Sequence, residues 1–278
     1  MLSLILAASL SWAGTITDAQ GNAVSVDDPQ RIVTLGGGVS ETVAALGLED
    51  KIVGADASST YPASLQPRAT LGYHRNVGAE GILSLSPDLV IATQDAGPPA
   101  TLAQIQAAGV DLVFLDGSPG LTPLRGRITM LSTLLDANDQ GQALLQGLEQ
   151  SLSAVSGDAS PRVMFIYARG AGTLNVSGTG TAAAAMIDLA GAENAVDAYE
   201  GYKPLTAEGA VLASPDVLLL TEGGLKSLGG EEGLLRQPGI AQTPAGQARR
   251  IVVMDDLLLL GFGPRAGEAA RTLSEAIR

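Results

Sequence analysis

The amino-acid sequence predicts an α/β protein of two similar lobes, each with a mostly parallel sheet flanked by helices. In both halves, short runs of β-branched and aliphatic residues alternate with stretches of helical apolar spacing. One block also occurs twice: residues 79–89 match residues 207–217 without a gap, from Ala-Glu-Gly to Ser-Pro-Asp and an apolar strand. A match of this length indicates an internal repeat and therefore two related lobes.

The first lobe is predicted over residues 31–118. Residues 31–35 form an apolar strand that leads into Gly36, Gly37 and Gly38, and a helix follows from Glu41 up to Gly47. Further strands are predicted at residues 51–55, 88–92 and 110–115, with a helix at 102–108. Strands that alternate with helices at these spacings favour a parallel sheet.

The middle of the chain is predicted to link the lobes. Apolar residues recur at helical spacing between residues 122 and 155, although Gly141 and Gly147 weaken the helix. The pattern fits one long helix or a helix pair, and residues 119–158 are assigned to one long linker helix. A second series of strands and helices makes residues 159–278 the second lobe. Two such lobes place a ligand cleft between them.

Charge and composition exclude several classes of function. The formal net charge is −13, so nonspecific attraction to nucleic acid or anionic lipid is not expected. The sequence contains no Cys, which excludes disulfides, thiolate metal sites and a lipid-modified cysteine.

The first residues predict export. Residues 2–13 form an apolar run that is too short to span a bilayer and ends in small residues, which is typical of a signal peptide cleaved after Ala13. No Lys or Arg precedes the run, so a buried N-terminal helix is the alternative. No later stretch reaches the roughly 18 apolar residues of a membrane span, and we expect a soluble mature protein without a lipid anchor.

No constellation for catalysis is evident. The one histidine is His74, and the sequence lacks the Gly-x-Ser-x-Gly elbow of many hydrolases. The glycine clusters at residues 36–38 and 170–172 match neither a dinucleotide fingerprint nor a P-loop. With a single histidine, a transition-metal site is not expected either. We therefore predict that the protein is not an enzyme.

One polar and aromatic cluster remains as a candidate site, at residues 72–76 (Gly-Tyr-His-Arg-Asn). It could be an ordinary surface loop. Alternatively it contacts a ligand, because the phenol oxygen of Tyr73 can ligate ferric iron and Arg75 can pair with a carboxylate.

Several segments together resemble the haem-binding periplasmic proteins of bacterial haem ABC importers, of the HmuT and ShuT type. The resemblance covers about residues 31 to 270. The segments that carry it are residues 31–37, 60–62, 72–75, 79–89, 96–99, 178–182, 202–206, 242–246 and 254–265. The Gly-Tyr-x-Arg segment and the Asp-Asp-Leu-Leu-Leu-Leu-Gly-Phe-Gly-Pro-Arg segment indicate haem in particular.

The resemblance implies that Tyr73 is the axial ligand of haem iron, with His74 or Arg75 supporting the phenolate or reaching a propionate. Some relatives use a histidine in the second lobe, where this sequence has Arg169. Arginine does not normally ligate iron but can bind a propionate. We therefore expect one five-coordinate haem, and Tyr202 in the second lobe is not assumed to bind iron.

The resemblance also implies a partner. Glu80 and Glu208, one on each lobe, are similar to the pair of glutamates that dock on the permease dimer of the importer. Alternatively, both are acids at helix starts, where the helix dipole favours a negative charge. The expected function is that of a monomeric periplasmic protein that captures haem and delivers it to an inner-membrane ABC importer. A siderophore or corrinoid carrier of the same class is the alternative, and an enzyme or an adhesive module are the competing classes.

Overall fold

The computed structural model describes residues 14–66, 68–155, 160–169 and 174–278. The predicted signal peptide and the glycine cluster at 170–172 lie outside these residues. A small antiparallel hairpin of β1 (Ile16–Thr17) and β2 (Ala23–Val24) precedes the first lobe.

The first lobe is built on five strands: β3 (Ile32–Leu35), β4 (Ile52–Ala55), β5 (Ala69–Thr70), β6 (Leu89–Thr93) and β7 (Asp111–Leu115). All are parallel, in the order β5-β4-β3-β6-β7. Helices α1 (Gly37–Val43), α2 (Ala79–Ser84) and α3 (Pro99–Ala107) connect them. Strand β3 is buried along its whole length, as expected for a parallel sheet covered on both faces. The predicted parallel sheet is confirmed.

The segment between the lobes forms two helices, α4 (Leu121–Leu134) and α5 (Asn138–Ser153). The prediction of one long linker helix over residues 119–158 is therefore wrong, and the alternative of a helix pair is what the chain adopts. The break falls at Asp136, whose φ of 52° is left-handed. The helices run antiparallel, since Arg125 near the start of α4 pairs with Glu149 near the end of α5 at 2.7 Å.

The second lobe contains β8 (Arg162–Tyr167), β9 (Asn175–Ser177), β10 (Glu193–Asn194), β11 (Tyr202–Pro204), β12 (Val217–Thr221) and β13 (Ile251–Met254). Strands β10, β8, β12 and β13 are parallel, while β9 and β11 add an antiparallel edge. The helices are α6 (Ala182–Leu189), α7 (Ala207–Ala213), α8 (Glu222–Ser227), α9 (Glu231–Leu235), α10 (Pro244–Ala248), α11 (Asp256–Leu260) and α12 (Ala266–Ala276). The second sheet is thus mostly parallel, as predicted.

The repeated block has the same structural role in both lobes. In the first lobe the Asp88 carboxylate accepts the backbone N–H of Arg31 at 3.0 Å, and the Arg31 guanidinium donates to carbonyls at the end of α2. In the second lobe Asp216 accepts the backbone N–H of Arg162 at 2.9 Å, and Arg162 donates to the last carbonyl of α7. The Ser-Pro-Asp repeat therefore ties each strand start to a helix end, where carbonyls lack partners within the helix.

Helix α4 packs into both lobes. Its first half contributes Leu124 and Ile128 to the core of the second lobe, and its second half contributes Leu131 and Leu134 to the core of the first. The helix that joins the lobes is therefore also part of each core.

Between these two sets lies the buried side chain of Arg127. Its guanidinium donates to the carbonyls of Asp116 at 2.6 Å and Ser118 at 3.1 Å in the first lobe, and to Phe262 at 2.7 Å in the second. Burial lowers the pKa of Arg127 to about 10, so the side chain stays charged at neutral pH. One cation thus holds three carbonyls from both lobes together.

The two glycines of α5 give a matched test of this packing. A Cβ at Gly141 would overlap the Ser132 side chain, whereas nothing lies within 4 Å of one at Gly147. We expect overpacking in Gly141→Ala to destabilise the protein by about 1–3 kcal/mol. The gain in helix propensity from alanine offsets part of this loss. Gly147→Ala should stabilise the protein by about 0.5–1 kcal/mol through that gain alone. Urea unfolding of the two variants measures both, and equal effects would contradict the packing.

Candidate functional site

The carboxyl ends of the parallel strands in the two lobes face one another. Helix α1 follows β3 directly, and a Cβ at Gly37 or Gly38 would overlap Leu257 or the carbonyl of Gly261, respectively. Helix α11, which contains Leu257, begins just after β13. Because both contacting segments follow the carboxyl ends of their strands, the loops at these ends line the cleft between the lobes, where ligands of α/β proteins bind.

The loop that carries Tyr73 lies at this edge of the first lobe. Gly72 takes a φ of 79°, which suits a residue without Cβ, and its carbonyl accepts the N–H of Ala57 at 2.6 Å. One 3-10 turn, His74–Asn76, follows. The Tyr73 side chain is 38% exposed while His74 is buried. The loop therefore presents the phenol outward and holds the imidazole inside.

His74 lies between two carboxylates. Its Nδ1 is 3.4 Å from Asp56 Oδ2, and its Nε2 is 3.5 Å from Asp95 Oδ2. Nδ1 makes no well-directed hydrogen bond, so the contact with Asp56 is an ion pair. Burial opposes the charged form, but the close contacts with both carboxylates outweigh it and raise the pKa of His74 to about 9. The acids approach opposite nitrogens, so the three groups do not converge on a point that could hold a metal ion.

Asp56 is fixed by the chain around it. Its carboxylate accepts the N–H of Gly36 at 2.9 Å, the hydroxyl of Ser58 at 2.7 Å and the hydroxyl of Ser59 at 3.0 Å. Burial would raise its pKa, yet His74 and the hydrogen bonds from Ser58 and Gly36 lower the pKa of Asp56 to about 2. Asp56 is therefore an ionised anchor at the end of β4.

Arg75 connects Tyr73 to Asp95. Its Nη1 donates to the Tyr73 hydroxyl oxygen at 2.6 Å, and its Nη2 pairs with Asp95 Oδ2. Asp95 also accepts the Thr93 hydroxyl at 2.5 Å. Hydrogen bonding from His74, then from Thr93 and Arg75, holds the pKa of Asp95 well below its usual range despite partial burial. The structure thus brings the three predicted residues of the first lobe into one network.

Arg169 belongs to a separate cluster in the second lobe. It is exposed, and its guanidinium carbon lies 5.3 Å from the ring centroid of Tyr167, the last residue of β8. The Tyr167 ring lies 5.6 Å from that of Tyr202, which is 43% exposed. An aromatic pair with a cation beside it therefore lies at the carboxyl end of β8.

The single histidine allows a direct check of the network. We expect the imidazole NMR signals of tag-free, ligand-free protein to titrate with a midpoint of about 9 rather than near 6.5. The raised pKa means that the ion pairs contribute their full stability below about pH 6.5 and lose it as the pH rises through about 9. His74→Gln should abolish this part of the pH dependence of unfolding. A midpoint near 6.5 would contradict the ion pairs.

The model of one protein family, described as periplasmic binding protein, matches residues 32–258 of the chain. The chain belongs to this family. Two solved structures are similar to it over most of their length. The haem-binding protein RhuT from Roseiflexus sp. RS-1 is 42% identical with a TM-score of 0.86, and the match covers 89% of this chain and 97% of that one. The haem-binding protein BhuT, in complex with two haems, is also 42% identical, with a TM-score of 0.84 and the same coverage.

Curated relatives of this periplasmic binding protein are more distant. An uncharacterised ABC transporter substrate-binding lipoprotein, YvrC of Bacillus subtilis, is 26% identical over 95% of this chain and 85% of its own length. A cobalamin-binding protein of Halobacterium salinarum is 27% identical over 75% of this chain and 58% of its own. Family and fold are those of substrate-binding transport proteins and not of enzymes.

Glu80 and Glu208 occupy equivalent positions in this periplasmic binding protein. They lie in the first turns of α2 and α7, and both are exposed. Neither pairs with a cation in the part of the chain that the structure describes. No helix among these described residues has the length and apolarity needed to cross a membrane.

Sequence reasoning missed the supports of the site. Asp56 and Asp95 follow the ends of β4 and β6, and a carboxylate just after a buried strand was the available signal. It also missed an interlobe contact in which Arg265 donates to Glu41 at 3.0 and 2.9 Å. The Arg265 guanidinium carbon lies 3.5 Å from the ring centroid of Tyr61. These partners are distant in sequence, so no local pattern joins them.

Proposed function

We propose that this periplasmic binding protein captures haem between its lobes and delivers it to an ABC importer in the inner membrane, without catalysing a reaction. The observation that carries the proposal is the exposed phenol of Tyr73 at the carboxyl edge of the first sheet, with Arg75 donating to its oxygen at 2.6 Å. As a phenolate, this oxygen is a hard anionic ligand suited to ferric iron. The similarity to the haem-binding proteins RhuT and BhuT supports this ligand class.

Arg169 and its aromatic neighbours complete the proposed site. Haem carries two propionates at one edge of an otherwise apolar ring. Arg169 is exposed and close to no carboxylate among the contacts described, so its guanidinium is available for a propionate. The rings of Tyr167 and Tyr202 offer an apolar surface beside it. This arrangement needs one iron ligand, Tyr73, and one haem.

Delivery is proposed to use Glu80 and Glu208. Both carboxylates are exposed at helix starts of equivalent motifs, one in each lobe. Two equivalent acids on related lobes suit a two-fold symmetric permease with basic groups at its surface. The exported location and the monomeric, unanchored state remain expectations of the same proposal, and the signal peptide over residues 1–13 is part of it.

An absorption titration of the purified mature protein with hemin tests the proposal. Saturation at one equivalent with a ferric-haem band supports one bound haem. Saturation at two equivalents supports a stacked pair; the BhuT complex also contains two haems. Absence of a specific band would refute haem binding. A corrinoid carrier is the second candidate, because a cobalamin-binding protein is among the relatives. Cyanocobalamin and a ferric siderophore, titrated in parallel, decide between the ligands.

A further inference from the structure

We infer that Asp95 is a positioning residue for Tyr73, and that its carboxylate holds Arg75 so that one guanidinium nitrogen is directed at the phenol oxygen. The inference rests on the proposed function and adds residues to the same site. Both ends of the Arg75 fork are occupied, since Nη1 donates to Tyr73 and Nη2 pairs with Asp95. Arg75 is thereby committed to the phenol, and the propionate is left to Arg169.

Asp95 can orient Arg75 because Asp95 is itself fixed. Its Oδ1 accepts the Thr93 hydroxyl at 2.5 Å, and its Oδ2 lies 3.5 Å from Nε2 of the buried His74. His74 in turn pairs with Asp56. Groups of alternating charge therefore run from the interior to the surface, in the order Asp56, His74, Asp95, Arg75 and the Tyr73 phenol.

The backbone anchors the inner end of this row. Asp56 accepts hydrogen bonds from Gly36 at the start of α1 and from the hydroxyls of Ser58 and Ser59. His74 is buried and faces a carboxylate at each ring nitrogen, so it links Asp56 to Asp95 and fixes the distance between them. His74 therefore supports the position of Asp95 and does not contact the ligand itself.

The physical consequence concerns order and charge. A half-exposed arginine on a flexible stem samples many rotamers, and a paired carboxylate reduces that freedom before the ligand arrives. Asp95 also balances the guanidinium charge. The phenol oxygen therefore receives a directed hydrogen bond from a guanidinium whose charge is already balanced by Asp95. Partners of this kind behind a metal ligand typically change affinity by about 10- to 100-fold.

The test compares Asp95→Asn with Asp111→Asn in the mature protein loaded with hemin. Asp111 is exposed at the start of β7, the opposite end of the strand from the site, so the control makes the same charge change elsewhere. The readouts are the phenolate-to-iron charge-transfer band and the rate of hemin transfer to an excess of a haem scavenger protein. We expect Asp95→Asn to shift the band and to speed hemin release by about 10-fold or more. Asp111→Asn should keep the wild-type band and release rate. Asp95→Glu, which keeps the carboxylate, should restore both in part.

The outcomes separate this inference from the proposed function. If Tyr73→Phe loses the band while Asp95→Asn keeps both the wild-type band and the wild-type release rate, the positioning role is refuted and haem binding stands. If the wild-type protein binds no hemin, both are refuted. Should Asp95→Asn fail to fold, Arg75→Lys serves instead, because lysine keeps the charge but cannot reach Tyr73 and Asp95 together. A wild-type band and release rate in Arg75→Lys would equally refute the inference.

Discussion

Tyr73→Phe is expected to abolish the phenolate-to-iron band of the ferric-haem complex and to weaken hemin binding by roughly 100-fold or more, because partners behind a metal ligand already account for about 10- to 100-fold. The substitution keeps the aromatic ring and removes only the oxygen to which Arg75 donates. Absorption spectra and hemin titrations of the variant measure both effects.

Tyr202→Phe is the matched control for this result. The two side chains are similarly exposed, at 38% and 43%, and each belongs to one lobe. Tyr202 lies beside Tyr167 and Arg169, where its proposed contribution is the ring surface and not the hydroxyl. Its variant should therefore keep the wild-type band. An unchanged spectrum in Tyr73→Phe, or loss of the band in Tyr202→Phe, would show that the iron ligand is misassigned.

The sequence was informative where one local segment carries a complete structural unit. The repeated Ser-Pro-Asp block predicts two lobes. In the structure each copy is such a unit, since Asp88 and Asp216 make the same contacts with the strand starts at Arg31 and Arg162. Tyr73 and Arg75 could also be predicted to act together, since they are two residues apart in one loop. The match of fold and family confirms the predicted two-lobed fold.

The break in the linker could not be predicted from periodicity. Leu134 and Leu135 continue the apolar spacing of α4 up to the turn, and the reversal depends on the left-handed conformation of the single residue Asp136. The structure also explains Gly141, which allows α5 to approach Ser132 closely. Gly141 weakens α5 as an isolated helix, but its lack of a side chain allows α5 to pack closely against α4.

The supports of the site could not be predicted because they come from separate strands. Asp56, Asp95 and the Tyr73 loop follow the ends of three different strands of one parallel sheet, and only the sheet order brings those ends together. The same holds between the lobes for Glu41 and Arg265. These interlobe bonds, together with Arg127, favour lobes that move little on ligand binding.

Charge reversal at both proposed docking acids, Glu80→Lys with Glu208→Lys, is expected to reduce hemin delivery to the importer by at least about 10-fold while hemin binding stays unchanged. Two like charges opposite a basic permease surface cost several kcal/mol in total. By contrast, the loss of a favourable helix-dipole contact costs only about 0.3–1 kcal/mol of stability for each residue. Haem uptake and ATPase stimulation in proteoliposomes that contain the importer measure the effect.

Glu231→Lys separates docking from the helix-dipole interpretation. Glu231 is an exposed acid in the first turn of α9, so its reversal removes the same kind of dipole contact at a place outside the repeated motif. This control should leave delivery at the wild-type level. Because the two lobes meet symmetry-related surfaces in the proposed complex, each single reversal at Glu80 or Glu208 should cost part of the delivery, and the double variant more than either. Equal delivery by the double variant and the wild type would show that the two acids only stabilise helix starts and do not dock on the permease.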